Sequence, residues 1–330
     1  MRASVVTEFG GPEVLKVRDV PTPKPGPGQV AIKVSYAGVN YAETMARRGG
    51  RHSEQPPFVT GLDVSGYIQE LGAGVEELRV GQPVAAFTES GGYAEIALAQ
   101  AVLTFPLDAS DKEIDLATAA AFPTIVPTAY DLLVNVARMR RGDTVLVHAA
   151  AGGVGSIAVQ MARYLEAGQV IGTVSSSEKA DYARSSGYDH VIFYENFLEE
   201  TRALTSGRGV DIVLEAIGEP IRSQSLSILA PFGRLVIFGN ANDPQGRPQA
   251  LPATPGALLL ESKAVMGYSL GRLSAVAPQL VATTARQALD LVAHDHIKID
   301  ITTIFPLEQA SEAHRLLESR ASTGKMLLRI

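Results

Sequence analysis

The chain has 330 residues, a formal net charge of −6 and no cysteine; 46% of it is hydrophobic and 19% charged. That length suits two globular domains, and the acidic balance excludes a general attraction to nucleic acid or an anionic membrane. Without cysteine there is no disulfide, no thiol nucleophile and no thiolate zinc site.

No run of about 18 consecutive apolar residues occurs, so no bilayer span is expected. The opening MRASVVTEFGGPEVL reads as a strand and not as a secretory leader. A cytoplasmic location is expected. Residues 1–124 are rich in Val, Gly and Pro, with β-like stretches (QVAIKVSYAGV, DVSGYIQEL) between turn signals such as PKPGPG and SGG. They predict an irregular antiparallel β domain. Over 125–268 short apolar strands (TVLVHAA, QVIGTV, HVIFY, VDIVLEA, GRLVIFG, AVMGYSL) alternate with helical segments. That alternation predicts a doubly wound parallel α/β sheet. Residues 269–330 carry two helical patterns and a closing strand, KMLLRI, and return to the first domain.

The strand Thr144–Ala149 runs into AAGGVG, where Ala150, Gly152 and Gly155 take the three positions of G-x-G-x-x-G around Gly153 and Val154. The second glycine lets the backbone approach a pyrophosphate, and the third lets the helix pack against the strand. Val154, Ile157, Ala158, Met161, Ala162 and Leu165 then form one apolar helix face. The helix N-terminus offers free N–H groups and a positive dipole to the anion.

The next strand ends in Ser175, Ser176 and Ser177, with Lys179 beyond. NAD-binding folds place an acid there for the ribose 2′-hydroxyl. Hydroxyls and a cation suit a 2′-phosphate, so NADPH is expected; the plain alternative is a helix cap with a solvated lysine. Glu178 is expected to open the next helix facing solvent.

Together FGGPEVL (9–15), GVNYAET (38–44), AAAGGVG (149–155), FGN (238–240) and AHRLLESRASTGKMLL (313–328) resemble the zinc-free quinone oxidoreductase, zeta-crystallin-like, branch of the medium-chain dehydrogenase/reductase superfamily. The resemblance covers essentially the whole chain. It implies a GroES-like β-barrel catalytic domain beside a Rossmann domain, and hydride transfer to a small quinone or enone.

It also implies that Asn40, Thr44 and Met45, with Tyr41 on the cofactor side, line a nicotinamide–substrate cleft approached by Thr128 and by Gly267, Tyr268 and Ser269. Lys179, Tyr194 and Arg320 would hold the 2′-phosphate end, and Ile217, Phe238, Gly239 and Asn240 would follow the adenosine and ribose. Met45 and Gly50-Arg51-His52 stand where the branch often has tyrosines.

Zinc-dependent relatives carry a cysteine and a Gly-His-Glu as metal ligands; the comparable places here are Ala37–Gly38 and Gly61-Leu62-Asp63, so no metal is expected. His294 and His296 read as a solvent-facing helix end, and His148 as a packed strand-end residue.

Two other readings stay open. An enoyl-thioester or polyketide enoyl reductase would use Arg47, Arg48 and Arg51 as a basic entrance. A non-catalytic NADPH-binding protein, crystallin-like or RNA-binding, would use the cofactor for stability alone. Leu258–Leu270 reads as an apolar edge strand joining a homodimer through the cofactor domain.

Overall fold

The structure, a computed structural model, describes residues 1–50, 54–109, 112–243 and 253–330. The chain forms two compact units: Met1–Pro127 with Leu270–Ile330, and Thr128–Ser269. Its first elements are β1 (Arg2–Val6), β2 (Leu15–Asp19), β3 (Gln29–Val39), α1 (Tyr41–Arg47), β4 (Phe58–Val59) and β5 (Asp63–Leu71). They are followed by β6 (Pro83–Phe87), β7 (Ile96–Gln100), β8 (Thr104–Pro106) and α2 (Leu116–Asp131).

The helix α2 contains Pro123 and Pro127 and runs on into a π-helical turn, Leu132–Val136. Each proline lacks an N–H, so the carbonyls of Ala119 and Pro123 lose their helical partner. The stretch Leu116–Val136 is long and apolar enough to cross a membrane by length and composition, yet most of it is buried inside the protein. It is a core helix, and its hydropathy reflects that burial.

The second unit holds β9 (Thr144–Val147), α3 (Gly153–Tyr164), β10 (Gln169–Val174), α4 (Ser177–Ser185), β11 (His190–Phe193) and α5 (Phe197–Leu204). After them come β12 (Val210–Glu215), α6 (Ile221–Ser227), β13 (Leu229–Ile237), α7 (Pro255–Glu261) and β14 (Ala264–Gly267). The strands form one parallel sheet in the order β11-β10-β9-β12-β13-β14. This is the doubly wound order, with its reversal between β9 and β12. Covered on both faces, β12 is buried along its whole length. The expectation of a strand from Leu258 is corrected: Leu258–Glu261 end α7, and only Ala264–Gly267 join the sheet, at its edge.

The chain then returns through α8 (Leu270–Val276), α9 (Pro278–Ala293), β15 (Ile301–Pro306), α10 (Ala310–Glu318) and β16 (Lys325–Arg329). In the first unit β16 pairs with β3, giving a mixed sheet ordered β15-β16-β3-β5-β6-β8 with β7 also on β3. Beside it lies the small sheet β2-β1-β4. Val30, Ile32, Val34, Val64, Ile68 and Leu328 pack between these strands as one core.

Candidate functional site

Every residue proposed for the cofactor in the second unit, Thr128 apart, lies at or just past the carboxyl end of a parallel strand. Across the sheet these are Tyr194 after β11, Ser175 after β10, the turn to Gly152 after β9, Ile217 after β12, Phe238–Asn240 after β13 and Tyr268 after β14. Ligands of doubly wound sheets bind along that row.

At Gly152 an added Cβ would meet only the Ala149 carbonyl, at 3.3 Å, so the turn stays open. At Gly155 it would lie 2.5 Å from the same oxygen, so that glycine is required for close helix–strand packing. Ile157, Ala158, Met161 and Ala162 are buried as the periodicity implies, while Val154 and Leu165 are half-buried at the ends of the face. A dinucleotide pyrophosphate fits this cradle.

His148, at the end of β9, is buried, and its tautomer follows from its partners. The Ser225 hydroxyl donates to the Ile221 carbonyl, so it accepts from Nε2–H at 2.7 Å, and Nδ1 accepts from Thr173 at 2.8 Å. Burial holds its pKa down to about 3. It is a packed, neutral histidine. Its ring stacks on Tyr194 at 5.7 Å, and the Tyr194 hydroxyl accepts the Ala149 N–H at 2.8 Å. Tyr194 therefore braces the glycine turn directly, a role the sequence reading had not assigned to it.

Ser176 is the N-cap of α4, accepting from the Lys179 backbone N–H at 3.4 Å, so Lys179 sits in the first turn. Exposed Glu178 lies in the same turn, its carboxyl held low by hydrogen bonding to its own backbone first and to Ser176 next.

A buried ion pair missed by the sequence reading ties two of these turns together. Arg222 Nε lies 2.8 Å from Glu215 Oε2, with both residues under 10% exposed. Glu215 Oε1 accepts the Ile217 and Gly218 N–H groups, and Arg222 donates to the Gly239 carbonyl at 2.9 Å. At the far edge the Tyr268 hydroxyl donates to Asp131 at 2.9 Å.

Asn40, Tyr41, Thr44, Met45 and Arg320 belong to the first unit. Asn40 is 7% exposed and its amide is fully committed: Nδ2 donates to Asp63 at 2.8 Å and Glu43 at 3.0 Å, while Oδ1 accepts from Lys325 at 2.5 Å. An amide has two hydrogens to give, and both are used. Thr44 is fully buried and donates to the Tyr41 carbonyl at 2.7 Å. Both residues anchor the start of α1, and neither hydrogen is free for a substrate. Tyr41 and Met45 are half-buried on the same helix, and Arg320 is exposed in the left-handed region at φ +59° just past α10.

The network continues inward. Lys325 Nζ lies 2.7 Å from Asp63, and Thr124 donates to the other Asp63 oxygen. Glu43 accepts from the Asn40 and Leu62 backbone N–H groups at 2.6 and 3.0 Å and from Tyr93 at 2.8 Å. Burial first, and the Asp63 carboxylate second, push the Glu43 carboxyl up to about 7. An added Cβ at Gly38 would lie 2.7 Å from Asp63 and 2.8 Å from the Ala120 carbonyl, so only glycine fits beside this knot.

A catalytic zinc does not fit these residues. Leu62 has no donor atom, Asp63 is saturated by an ammonium, an amide and a hydroxyl, and no group of three metal-ligating side chains occurs among the described residues. Exposed His294 ends α9, its Nδ1 2.9 Å from the Asp290 carbonyl. Arg47 is buried against Glu318, which also meets Arg48 at 3.0 Å, so this pair does not form a basic entrance. Arg51 and His52 lie outside the described residues.

Residues 26–109 match the alcohol dehydrogenase GroES-like domain, and residues 153–291 match the family described as zinc-binding dehydrogenase. The chain is 34% identical over 335 residues to the quinone oxidoreductase of Rattus norvegicus, covering 99% of this chain and 97% of that protein. It is 33% identical over 337 residues to the 2-haloacrylate reductase of Burkholderia sp, covering 99% and 98%. Escherichia coli quinone oxidoreductase complexed with NADPH superposes with a TM-score of 0.88 over the full length of both chains, at 28% identity.

Proposed function

The chain belongs to the quinone oxidoreductases of the medium-chain dehydrogenase/reductase superfamily, a superfamily of oxidoreductases, and from that membership we propose that it is an NADPH-dependent reductase of quinones or α,β-unsaturated carbonyl compounds. The observation that carries this reading is the end of β10. Ser175 and Ser176 close the strand with no acid among its last residues, and Lys179 follows in the first turn of α4 beside Glu178, one strand away from an open glycine turn. The E. coli relative solved with NADPH supports the same cofactor.

When bound, NADPH supplies a hydride from nicotinamide C4. The first turn of α3 holds the pyrophosphate, and Ser175, Ser176 and Lys179 hold the 2′-phosphate. The Glu215–Arg222 pair keeps the Ile217 and Phe238–Asn240 turns in place along the ribose. Binding and orientation carry most of the catalysis. Met45 is apolar, and the hydrogens of Asn40 and Thr44 are already used. None of these three therefore supplies the proton that completes reduction, which comes from water or another polar side chain.

NADPH oxidation measured against quinones, enals, enones, haloacrylates and enoyl-thioesters tests this. Turnover of quinones or enones is expected, and turnover of none of these classes would overturn it. Lys179→Ala should weaken NADPH by the loss of one charge-assisted contact, about 1.5–3 kcal/mol, and leave NADH nearly unchanged. Equal affinity of the unaltered protein for both cofactors would refute the 2′-phosphate assignment.

A further inference from the structure

The turn after β9 begins on a strained residue. Ala149 sits in the left-handed region at φ +54°, a conformation that glycine takes freely and alanine adopts at a steric cost. The amides on either side of it are tied to the two neighbouring strands. His148 N–H donates to the Leu214 carbonyl of β12 at 3.1 Å, and Ala150 N–H to the Thr173 carbonyl of β10 at 3.1 Å. The Ala149 N–H between them turns instead to the Tyr194 hydroxyl, which accepts it at 2.8 Å.

Tyr194 does this from two strands away. It follows β11, and its hydroxyl reaches past β10 to the end of β9. Its backbone N–H is tied to the Val174 carbonyl at 3.3 Å, and its ring stacks on His148 with 20° between the planes. His148 is fixed in turn by Thr173 and Ser225 at its two ring nitrogens and lies edge-on to Phe197. The acceptor for the Ala149 N–H is therefore held in place before any ligand arrives. The other end of Ala149 shapes the turn. Its carbonyl accepts the N–H of Gly152, the N-cap of α3, at 2.9 Å. If Ala149 left the left-handed region, that carbonyl would swing away from Gly152, and the first turn of α3 would lose its support.

We propose that Tyr194 is a positioning residue: its hydroxyl locks Ala149 in the left-handed conformation and so holds the Gly152 turn in the shape that receives the pyrophosphate. That group is common to NADPH and NADH, so the lock serves both cofactors alike and takes no part in choosing between them. The inference rests on the NADPH reading above.

Fluorescence titration with NADPH and with NADH tests it. Tyr194→Phe keeps a ring to stack on His148 and removes only the hydroxyl. It should weaken both cofactors by the same factor, about three- to tenfold, the worth of one hydrogen bond, and leave the ratio of the two affinities unchanged. Adding Ala149→Gly to Tyr194→Phe should recover most of that loss, because glycine holds φ +54° without help from the hydroxyl. A loss confined to NADPH would mean that Tyr194 holds the 2′-phosphate and would overturn the inference. So would a double variant that binds no tighter than Tyr194→Phe, or a Tyr194→Phe protein with a lowered melting temperature and both affinities intact. In each of these cases the unaltered protein still binds NADPH, and the cofactor reading stands. Binding of neither cofactor by the unaltered protein would overturn that reading and this inference with it.

Discussion

Lys325 and Asp63 face each other in the interior of the first unit, both almost wholly enclosed. Removing one partner of such a pair strands a buried charge, typically at a cost of about 3–5 kcal/mol. Lys325→Met should therefore lower the thermal midpoint sharply, and adding Asp63→Leu should recover part of the loss. A double variant as unstable as the sum of the two singles would show that the pair is not coupled.

Glu43 makes a second prediction, with a definite sign. Its folded carboxyl is raised from 4.5 to about 7, so its contribution is present at low pH and is lost as pH rises through 7. The stability of the unaltered protein relative to Glu43→Gln should fall between pH 5 and pH 8, by on the order of 3 kcal/mol at most. The buried histidines, His148 and His314, act oppositely, losing stability as pH falls below 6.5, but they are common to both proteins and cancel in the difference. A pH-independent difference in urea unfolding would refute it.

Each member of this knot is visible in the sequence as a letter, Asp63 even as the place of a metal ligand in relatives. The pairing of Asp63 with a lysine 262 positions later is not. It exists only because β16 comes back to lie beside β3.

Elements differed in how far their sequences betrayed them. The run from Thr144 to Leu165 is legible because strand, glycine turn and helix each carry a local signal: a short apolar run, a forced close approach and a 3.6-residue period. The stretch LLLESKAVMGYSL is not. Three leucines in a row suit a strand or a helix equally, and Thr254 with Pro255 at the cap decides for the helix. Leu259 and Leu260 are left 79% and 86% exposed.

The turns after β12 and β13 depend on the Glu215–Arg222 pair, seven residues apart and joined across a helix N-terminus. Arg222→Leu should free Gly239 and leave Glu215 unpaired. We expect a rise in the Kd for NADPH of about tenfold or more, with a lowered melting temperature; unchanged cofactor binding would mean that the turns hold themselves.

For the whole molecule, the open edge of the six-stranded sheet points to association. Among the described residues β14 pairs only with β13, and exposed Phe232, Leu259 and Leu260 lie near its start, where the Phe232 N–H meets the Ser262 carbonyl at 2.7 Å. We propose a homodimer in which two such edges pair about a two-fold axis. The Tyr268 N–H points to Ile237 on β13, so by alternation the Val265 N–H points to the open side. Val265→Pro should then remove an edge donor without breaking the β13–β14 ladder, and yield monomers of 34.9 kDa in sedimentation at micromolar concentration. A monomeric unaltered protein, or a variant that stays dimeric, would rule out this joint.

Local chemistry in the sequence sufficed for the alternation of strands and helices, the glycine turn, the serine–lysine strand end and the lack of a thiolate metal site. Each of these is carried by neighbouring residues or by composition, so no long-range contact is needed to read it. The fates of Asn40 and Tyr194 were set otherwise. That an amide meets a buried lysine, and that a tyrosine braces a backbone N–H, depends on partners 285 or 45 residues away that only folding brings within hydrogen-bond reach.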